Sequence, residues 1–326
     1  MAESFGMLRA AQAFSTPREP HLYALAYHRV DEPGHRPWLD PSLISATPAQ
    51  FEAQMRLIAH AYHPVNAEDV LHALEGGKPL PPNAVLVTVD DGYCDFQEAI
   101  LPIARCYGIQ PLLFVPTGYV GSGIFWWDHL YQAIYHTSMT EIHCSLGCLP
   151  IETPEEKLVA MERLRRYFKQ IPYEQAKYEI AELPKLAEDH HDTLNWNELR
   201  AAVRNGATLA PHTHSHSILS RVSIERAGEE ICQSFDLLQQ EVGNILPIFA
   251  FPDGVREAFT PEIIELLNAK GLKLVFTMIA GFSRLTKNDP LCFPRVPIWH
   301  EMSLAQFHWH LTPLHWKHVS SEAKRI

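Results

Sequence analysis

The sequence predicts an α/β fold in which parallel strands alternate with helical crossovers and close into a barrel. Three observations carry that prediction. Short, continuous apolar runs at 22–27, 84–89, 111–115 and 248–251 read as strands buried on both faces. Amphipathic segments with cap residues at their starts and glycines at their ends separate these runs. Polar clusters of ligand-type side chains follow several of the runs, where α/β barrels carry their chemistry.

Residues 1–20 read as a loose lead-in and 21–326 as one barrel domain. The first strand, 22–27, ends at His28-Arg29, and a polar, proline-rich loop follows over 31–43. Thr47 caps a helix that has Pro48 at its first position and Gln50 completing a capping box, with Phe51, Met55 and Ile58 on one face. Asn66 caps a shorter helix that stops at Gly76-Gly77. Strand 84–89, a helix over about 95–107 ending at Gly108, and strand 111–115 give the βαβ rhythm of a parallel sheet. Between about 124 and 190 the rhythm breaks. That stretch opens on Phe125-Trp126-Trp127-Asp128-His129, holds a hairpin near 144–151, and continues with two helices, the first opened by Thr153-Pro154 with Glu156. No flexible linker flanks it, so it reads as an insertion or lid between barrel units. A helix at 195–205 then leads to a strand at 207–210, a long helix at about 222–242, strand 248–251, a helix opened by Thr260-Pro261 that ends near Gly271, strand 272–276 and a last strand at 296–298. The total is about seven strands.

Composition narrows the function. The chain has 326 residues, of which 46% are hydrophobic and 20% charged, and its net charge is -11. That charge argues against a nucleic-acid or anionic-membrane partner. The basic cluster Arg163-Leu164-Arg165-Arg166 falls in an amphipathic helix and reads as a solvated face. No apolar stretch has the length of a membrane span. The first residues lack the basic start and apolar core of a secretory signal, so a reducing, cytoplasmic setting is expected. Six cysteines are scattered without a CxxC pair. Cys144 and Cys148 can share a hairpin as a disulfide or half of a metal site, or stand as free thiols. His190-His191 reads as surface, and the oligomeric state is not fixed by the sequence.

Two segments dominate the chemistry. Thr88-Val89-Asp90-Asp91-Gly92 closes one apolar run, and His212-Thr213-His214-Ser215-His216 follows another. An Asp-Asp pair with a His-x3-His pair is enough for a carboxylate/imidazole metal set with one carboxylate to spare, the minimum for metal-assisted hydrolysis. Consecutive residues at a strand end point in different directions, so one aspartate can face a cation while its neighbour faces a water. Gly92 permits the tight turn, although Asp-Asp-Gly alone also reads as a turn with a helix cap. The four-residue spacing predicts one helical turn with His212 and His216 on one face and His214 pointing away. Phe251-Pro252-Asp253-Gly254 and His28 also fall at strand exits.

These segments carry a resemblance. Thr88-Val89-Asp90-Asp91-Gly92 resembles the T-F-D-D-G motif of the polysaccharide deacetylases (NodB homology, carbohydrate esterase family 4). His212-Thr213-His214-Ser215-His216 matches their H-[ST]-x-x-H motif, and Phe249-Ala250-Phe251-Pro252-Asp253-Gly254 is similar to their F-A-Y-P-Y-G form. Order and spacing agree over roughly 20–300. The resemblance implies a distorted (β/α)7, TIM-like barrel with an inserted helical and hairpin segment. It also implies a divalent metal, usually Zn2+, and removal of an N-acetyl group from an amino sugar. By motif position Asp90 is then the general base, Asp91, His212 and His216 the metal ligands, and Tyr93 a source of a backbone N–H for the oxyanion.

The chain departs from the family pattern in three places. Many members carry an arginine in the third motif where this chain has Ala250, and Arg295 can supply the guanidinium instead. Asp253 replaces the usual tyrosine, adding negative charge and, with Pro252, a possible substrate contact. The C-terminal L-H-D motif that provides a general acid is not visible. His300 is nearest in position, as the acid or as a surface residue, and Asp90, once protonated, can itself return the proton. Trp126 and Trp127 suit a sugar platform or lid packing, and His28 reaches the site or caps the first strand. The leading expectation is a cytoplasmic, metal-dependent N-deacetylase acting on an acetylated amino sugar or a lipid- or nucleotide-linked glycan precursor. The alternatives are an amidase or deformylase on a non-sugar amide, and a catalytically silent barrel serving as a binding module.

Overall fold

The structure, a computed structural model, describes residues 21–121, 123–184 and 190–316. The expected lead-in over 1–20 lies outside them. Seven parallel strands form the barrel: β1 (His21–Tyr27), β2 (Ala84–Val89), β3 (Leu112–Val115), β4 (Thr208–Pro211), β5 (Ile248–Ala250), β6 (Leu274–Ala280) and β7 (Phe293–Pro297). Their order around the sheet is β5-β6-β7-β1-β2-β3-β4, so the barrel is nearly closed and its seam lies between β4 and β5. Every residue of β1 and β2 is buried. Alternation along the strands divides these residues between two cores. Leu22, Ala24, Leu86, Leu112, Phe114, Leu274 and Phe276 share one apolar cluster inside the barrel. Tyr23, Leu25, Val85, Val87 and Val89 face outward and pack with Phe51, Met55 and Ile58 of helix α1 (Pro48–Ala61).

The helices begin where local chemistry dictates. Thr47 accepts the Gln50 N–H while Gln50 reaches back to the Thr47 N–H, and Pro48 occupies the first turn of α1. Asn66 and Asp69 cap α2 (Ala67–Leu74) in the same reciprocal way. The helix expected over 95–107 differs in its first half. Phe96–Ile100 forms a wider π turn before α3 (Leu101–Cys106). Pro102 has no N–H to offer the preceding turn and its ring crowds it, which opens the ladder there.

The insertion consists of α4 (Trp126–Tyr135), a hairpin pairing Glu141–Cys144 with Gly147–Pro150, α5 (Pro154–Gln170) and α6 (Tyr173–Ala181). Leu130, Ile134, Ile142, Leu149, Leu164, Phe168 and Ile180 give it an apolar cluster of its own. In the hairpin Cys144 stands opposite Gly147 and Cys148 opposite His143, and both thiols are free. Beyond the insertion the barrel resumes with α7 (Trp196–Arg204), α8 (Ile224–Glu241), α9 (Pro261–Ala269) and α10 (Leu304–His310). Thr260 precedes α9 without a capping side-chain bond, and Pro261 alone marks the start. Among the described residues no helix is long and apolar enough to cross a membrane.

Candidate active site

Because all seven strands run the same way, the residues after each strand meet on one rim. His28 follows β1, Asp90 and Asp91 follow β2, His212 follows β4, Asp253 lies just past β5, and Arg295 is within β7. Asp90 and Arg295 meet as a buried, two-pronged pair. Nη1 donates to Oδ1 and Nη2 to Oδ2, each at 2.7 Å. The arginine is itself fixed, because Nε donates to the Thr277 carbonyl at 2.9 Å and Nη1 also reaches Thr88 Oγ1 at 3.0 Å. Burial pushes the Asp90 carboxyl up. The charge and hydrogen bonds of Arg295, with lesser help from His212 and His28, outweigh that and hold it well below the usual carboxylate range.

Asp91 turns the other way, with φ at +77°. Its Oδ1 lies 3.2 Å from His216 Nε2 and 3.8 Å from His212 Nε2. Burial raises its carboxyl, but the attraction of His216, with lesser help from His28 and His212, prevails and lowers it. His212 Nδ1 stands 2.8 Å from the Ala250 carbonyl, across the barrel seam. A carbonyl can only accept, so Nδ1 carries the hydrogen and Nε2 presents a lone pair to Asp91. Burial pushes His212 down to about 4, which keeps the ring neutral at physiological pH. Asp91 Oδ1 is buried without a hydrogen-bond partner. An unpaired carboxylate oxygen facing imidazole nitrogens, one of them fixed in its tautomer by a backbone carbonyl, is the donor set a divalent cation takes. Asp91, His212 and His216 therefore form a group fit to hold a metal ion, with all three ligand atoms within 4.8 Å of one another.

The route to this arrangement differs from the expected helical turn. Residues 212–216 form a loop in which Thr213 and His216 have φ of +62° and +53°. Buried Glu230 on α8 holds the loop by accepting the N–H groups of His214 (3.0 Å) and Ser215 (2.7 Å) and the Ser215 hydroxyl (2.8 Å). His214 does point away, with Nδ1 3.0 Å from Thr117 Oγ1. Four of the six non-glycine residues with positive φ among those described, Asp91, Thr213, His216 and Asp253, lie on these rim loops. Strain of this kind persists where the surroundings over-determine it. At Gly254, φ is +55° and an added Cβ would sit 2.6 Å from the Met278 nitrogen, so the loop beside Asp253 needs a glycine.

A cleft of about 390 Å3 opens above these groups. His28, Trp127 and Asp253 line it, with His28 Nε2 3.9 Å from Asp90 Oδ2. Tyr93, Pro252 and His300 are not among its lining residues. The Tyr93 ring is tied in behind the cleft, where its hydroxyl donates to Asp128 at 2.5 Å and accepts from Trp127 Nε1 at 2.8 Å. The Tyr93 backbone N–H, the expected oxyanion donor, has no hydrogen-bond partner among the described residues. Pro252 is buried under the loop and its carbonyl accepts from Gly254. The His300 carbonyl receives Gln50 Nε2 at 3.1 Å, in the turn after β7.

The basic cluster of α5 is more than a solvated face. Arg165 reaches into the cleft to pair with Asp40, and Lys169, one turn on, pairs with Asp253. Sequence reading also missed Glu230 and Asp128. Asp128 is buried, accepts the Asp40 N–H at 2.8 Å and the Tyr93 hydroxyl, and is pushed up to about 7, mainly by burial. Adjacency to Trp126-Trp127 was the only signal for Asp128 in the sequence.

A seven-stranded α/β barrel whose rim joins an arginine-held aspartate to an Asp/His/His cluster has the equipment of a hydrolase that attacks with an activated water. The model of the polysaccharide deacetylase family matches residues 77–275, and the chain belongs to that family. It is similar to the poly-β-1,6-N-acetyl-D-glucosamine N-deacetylase of Escherichia coli (strain K12), at 25% identity over 297 residues that cover 88% of this chain. The chain matches 38% of that relative's length. Among solved structures, Streptococcus pyogenes deacetylase PplD in complex with acetate aligns with a TM-score of 0.62 at 18% identity, covering 90% of this chain and all of that one. IcaB from Ammonifex degensii aligns with a TM-score of 0.55 at 20% identity, covering 93% of this chain and 96% of that chain. These structures share the barrel fold.

Proposed function

We propose that this chain is a metal-dependent hydrolase that removes N-acetyl groups from an amino-sugar glycan. Polymers of N-acetylglucosamine, the material named for the E. coli relative, are the first substrate to test. The observation that supports it most is the division of labour between two adjacent carboxylates, Asp90 held ionised by Arg295 and Asp91 aimed at two imidazoles. Asp91, His212 and His216 would hold a divalent cation, zinc by its donor chemistry, which would supply a Lewis acid for the acyl carbonyl and acidify a water.

The protein's own groups do the rest. Asp90, fixed on Arg295, takes the proton of the attacking water. The Tyr93 N–H donates to the oxyanion that develops on the acyl oxygen. His28 lines the cleft beside Asp90 and replaces His300 as the donor of a proton to the departing amine. Trp127 gives the sugar an apolar wall, while Asp253 and the cations of α5 offer hydrogen bonds to its hydroxyls. The products are acetate and a free amine.

The test is acetate release from β-1,6-linked N-acetylglucosamine oligomers, and from lipid- and nucleotide-linked acetylated sugars, by the metal-loaded protein. Release that disappears in Asp90→Asn supports the reading. Formate or ammonia from non-sugar amides, with no acetate from any glycan, would transfer the same site to an amidase. Inactivity on every amide combined with full metal loading would make the barrel a binding module.

A further inference from the structure

A second group of ligand-type side chains lies on the far side of the Asp90–Asp91 loop and has no part in the chemistry above. We propose that Cys94, His191 and Glu198 form a second divalent-cation site, of zinc type, that staples the end of the insertion to the loop carrying the catalytic aspartates. One donor atom from each residue lies within 4.8 Å of the other two.

Two stretches of chain meet here, 92–94 and 191–198, and the backbone fixes how they meet. The Cys94 N–H donates to the Asp192 carbonyl and the Leu194 N–H to the Gly92 carbonyl, both at 2.9 Å, bracketing an antiparallel bridge between Tyr93 and Thr193. Glu198 stands in the first turn of α7, where Oε2 accepts the Asn195 N–H at 2.8 Å. His191 Nε2 lies 3.1 Å from each of its oxygens. Trp38 secures the same stretch from the other side, with its indole N–H 3.0 Å from Asp192 and its ring stacked on His190 at 3.8 Å.

The donor set suits a borderline-soft cation. Zinc binds thiolate, imidazole and carboxylate, and three protein ligands leave a fourth position for water. The electrostatics favour a cation as well. Burial first, then Glu198, Glu98 and Asp192, push the Cys94 thiol up to about 12, with Arg36 opposing. A divalent ion would relieve that accumulation of negative charge and take the sulfur as thiolate. Its mechanical effect would be to pin Gly92–Cys94, and with it the Tyr93 N–H, independently of substrate.

Cobalt separates this site from the catalytic one, because Cys94 is a ligand here and no sulfur ligates there. The full chain is stripped of metal and titrated with Co2+, following bound metal and the thiolate-to-cobalt charge-transfer band in the near ultraviolet. The wild type is expected to bind two ions and show the band. Asp91→Ala should lose one ion and keep the band. Cys94→Ser should bind one ion without the band, and His191→Ala, an exposed substitution that spares the core, should weaken binding to the band-forming site at least tenfold. Cys148→Ser should match the wild type; the exposed Glu141, His143 and Cys148 group is the other thiol-bearing cluster among the described residues. The proposal is overturned if the wild type shows no such band, if His191→Ala binds like the wild type, or if the band survives Cys94→Ser and vanishes in Cys148→Ser.

Discussion

Replacing Arg295 with Met is the substitution that most exposes the logic of the site. Asp90 and Arg295 are both buried and joined by two charge-assisted bonds of 2.7 Å. Removing one partner of a buried pair costs about 3–5 kcal/mol, because the other charge stays out of water uncompensated. At about 2 °C for each kcal/mol in a domain of this size, melting should fall by roughly 6–10 °C. The pH dependence should also change sign. In the wild type the folded Asp90 carboxyl lies below its unfolded value near 3.9, so the pair's contribution is present at neutral pH and lost as pH falls below about 4. In Arg295→Met, without bound metal, burial is opposed only by the weaker attraction of His212 and His28, and the folded value rises above the unfolded one. Asp90 then contributes most below about 4 and its contribution is lost as pH rises toward the new value. Asp90 would be protonated in part of the working range, so kcat/KM should gain an acid limb falling about tenfold per pH unit. Arg295→Lys, which keeps the charge but not the fork, should fall between the two proteins. The assays are thermal unfolding and acetate release from pH 5 to 9, with metal loading checked at each point. Wild-type melting together with an unchanged pH profile in Arg295→Met would refute the reasoning.

Chelation should abolish acetate release, and zinc or cobalt should restore it while raising melting by the increment ligand binding confers, about 2.7 kcal/mol at a hundredfold excess over Kd; activity that survives complete metal removal would count against the site. Glu230→Ala frees the His214–Ser215 backbone from its carboxylate anchor and should weaken metal binding about 10–100-fold, read by competition with a chelating dye. Asp128 is pushed up to about 7, so the folded state binds its proton more tightly than the unfolded state, and stability is lost as pH rises from about 4 to 7. Asp128→Asn should flatten that part of the stability–pH curve, and an unchanged slope by chemical denaturation would show that the carboxyl is not perturbed. Lys169→Ala leaves Asp253 unpaired in the cleft and should raise KM for oligomers more than for a single acetylated sugar; equal effects on both would remove α5 from substrate binding.

The residues legible in the sequence are those whose role depends on a short contiguous pattern. Asp90 and Asp91 end an apolar strand, and the two histidines follow another, so the parallel barrel alone brings them to one rim. Arg295 could be named only through the family resemblance, which implies an arginine beside the catalytic aspartate where this chain has Ala250, and through its place near the last strand. Pattern could not give the path of the chain between His212 and His216. A spacing of four suits a helical turn equally well, and the loop exists because Glu230, on a separate helix, satisfies its N–H groups. Nor could it reveal that Arg165 and Lys169 face Asp40 and Asp253, since those contacts depend on how the insertion lies over the barrel. His300 illustrates the same limit, because proximity in sequence suggested the cleft while its carbonyl is held by Gln50 in the turn after β7.

The most direct measurement is acetate release from a β-1,6-linked N-acetylglucosamine oligomer by wild type and Asp90→Asn, compared at equal, measured occupancy of the Asp91, His212 and His216 site. The account predicts metal-dependent release by the wild type and a loss of about 10²–10⁴-fold in Asp90→Asn with metal binding intact. Equal rates in the two proteins, or release that continues after metal removal, would contradict it.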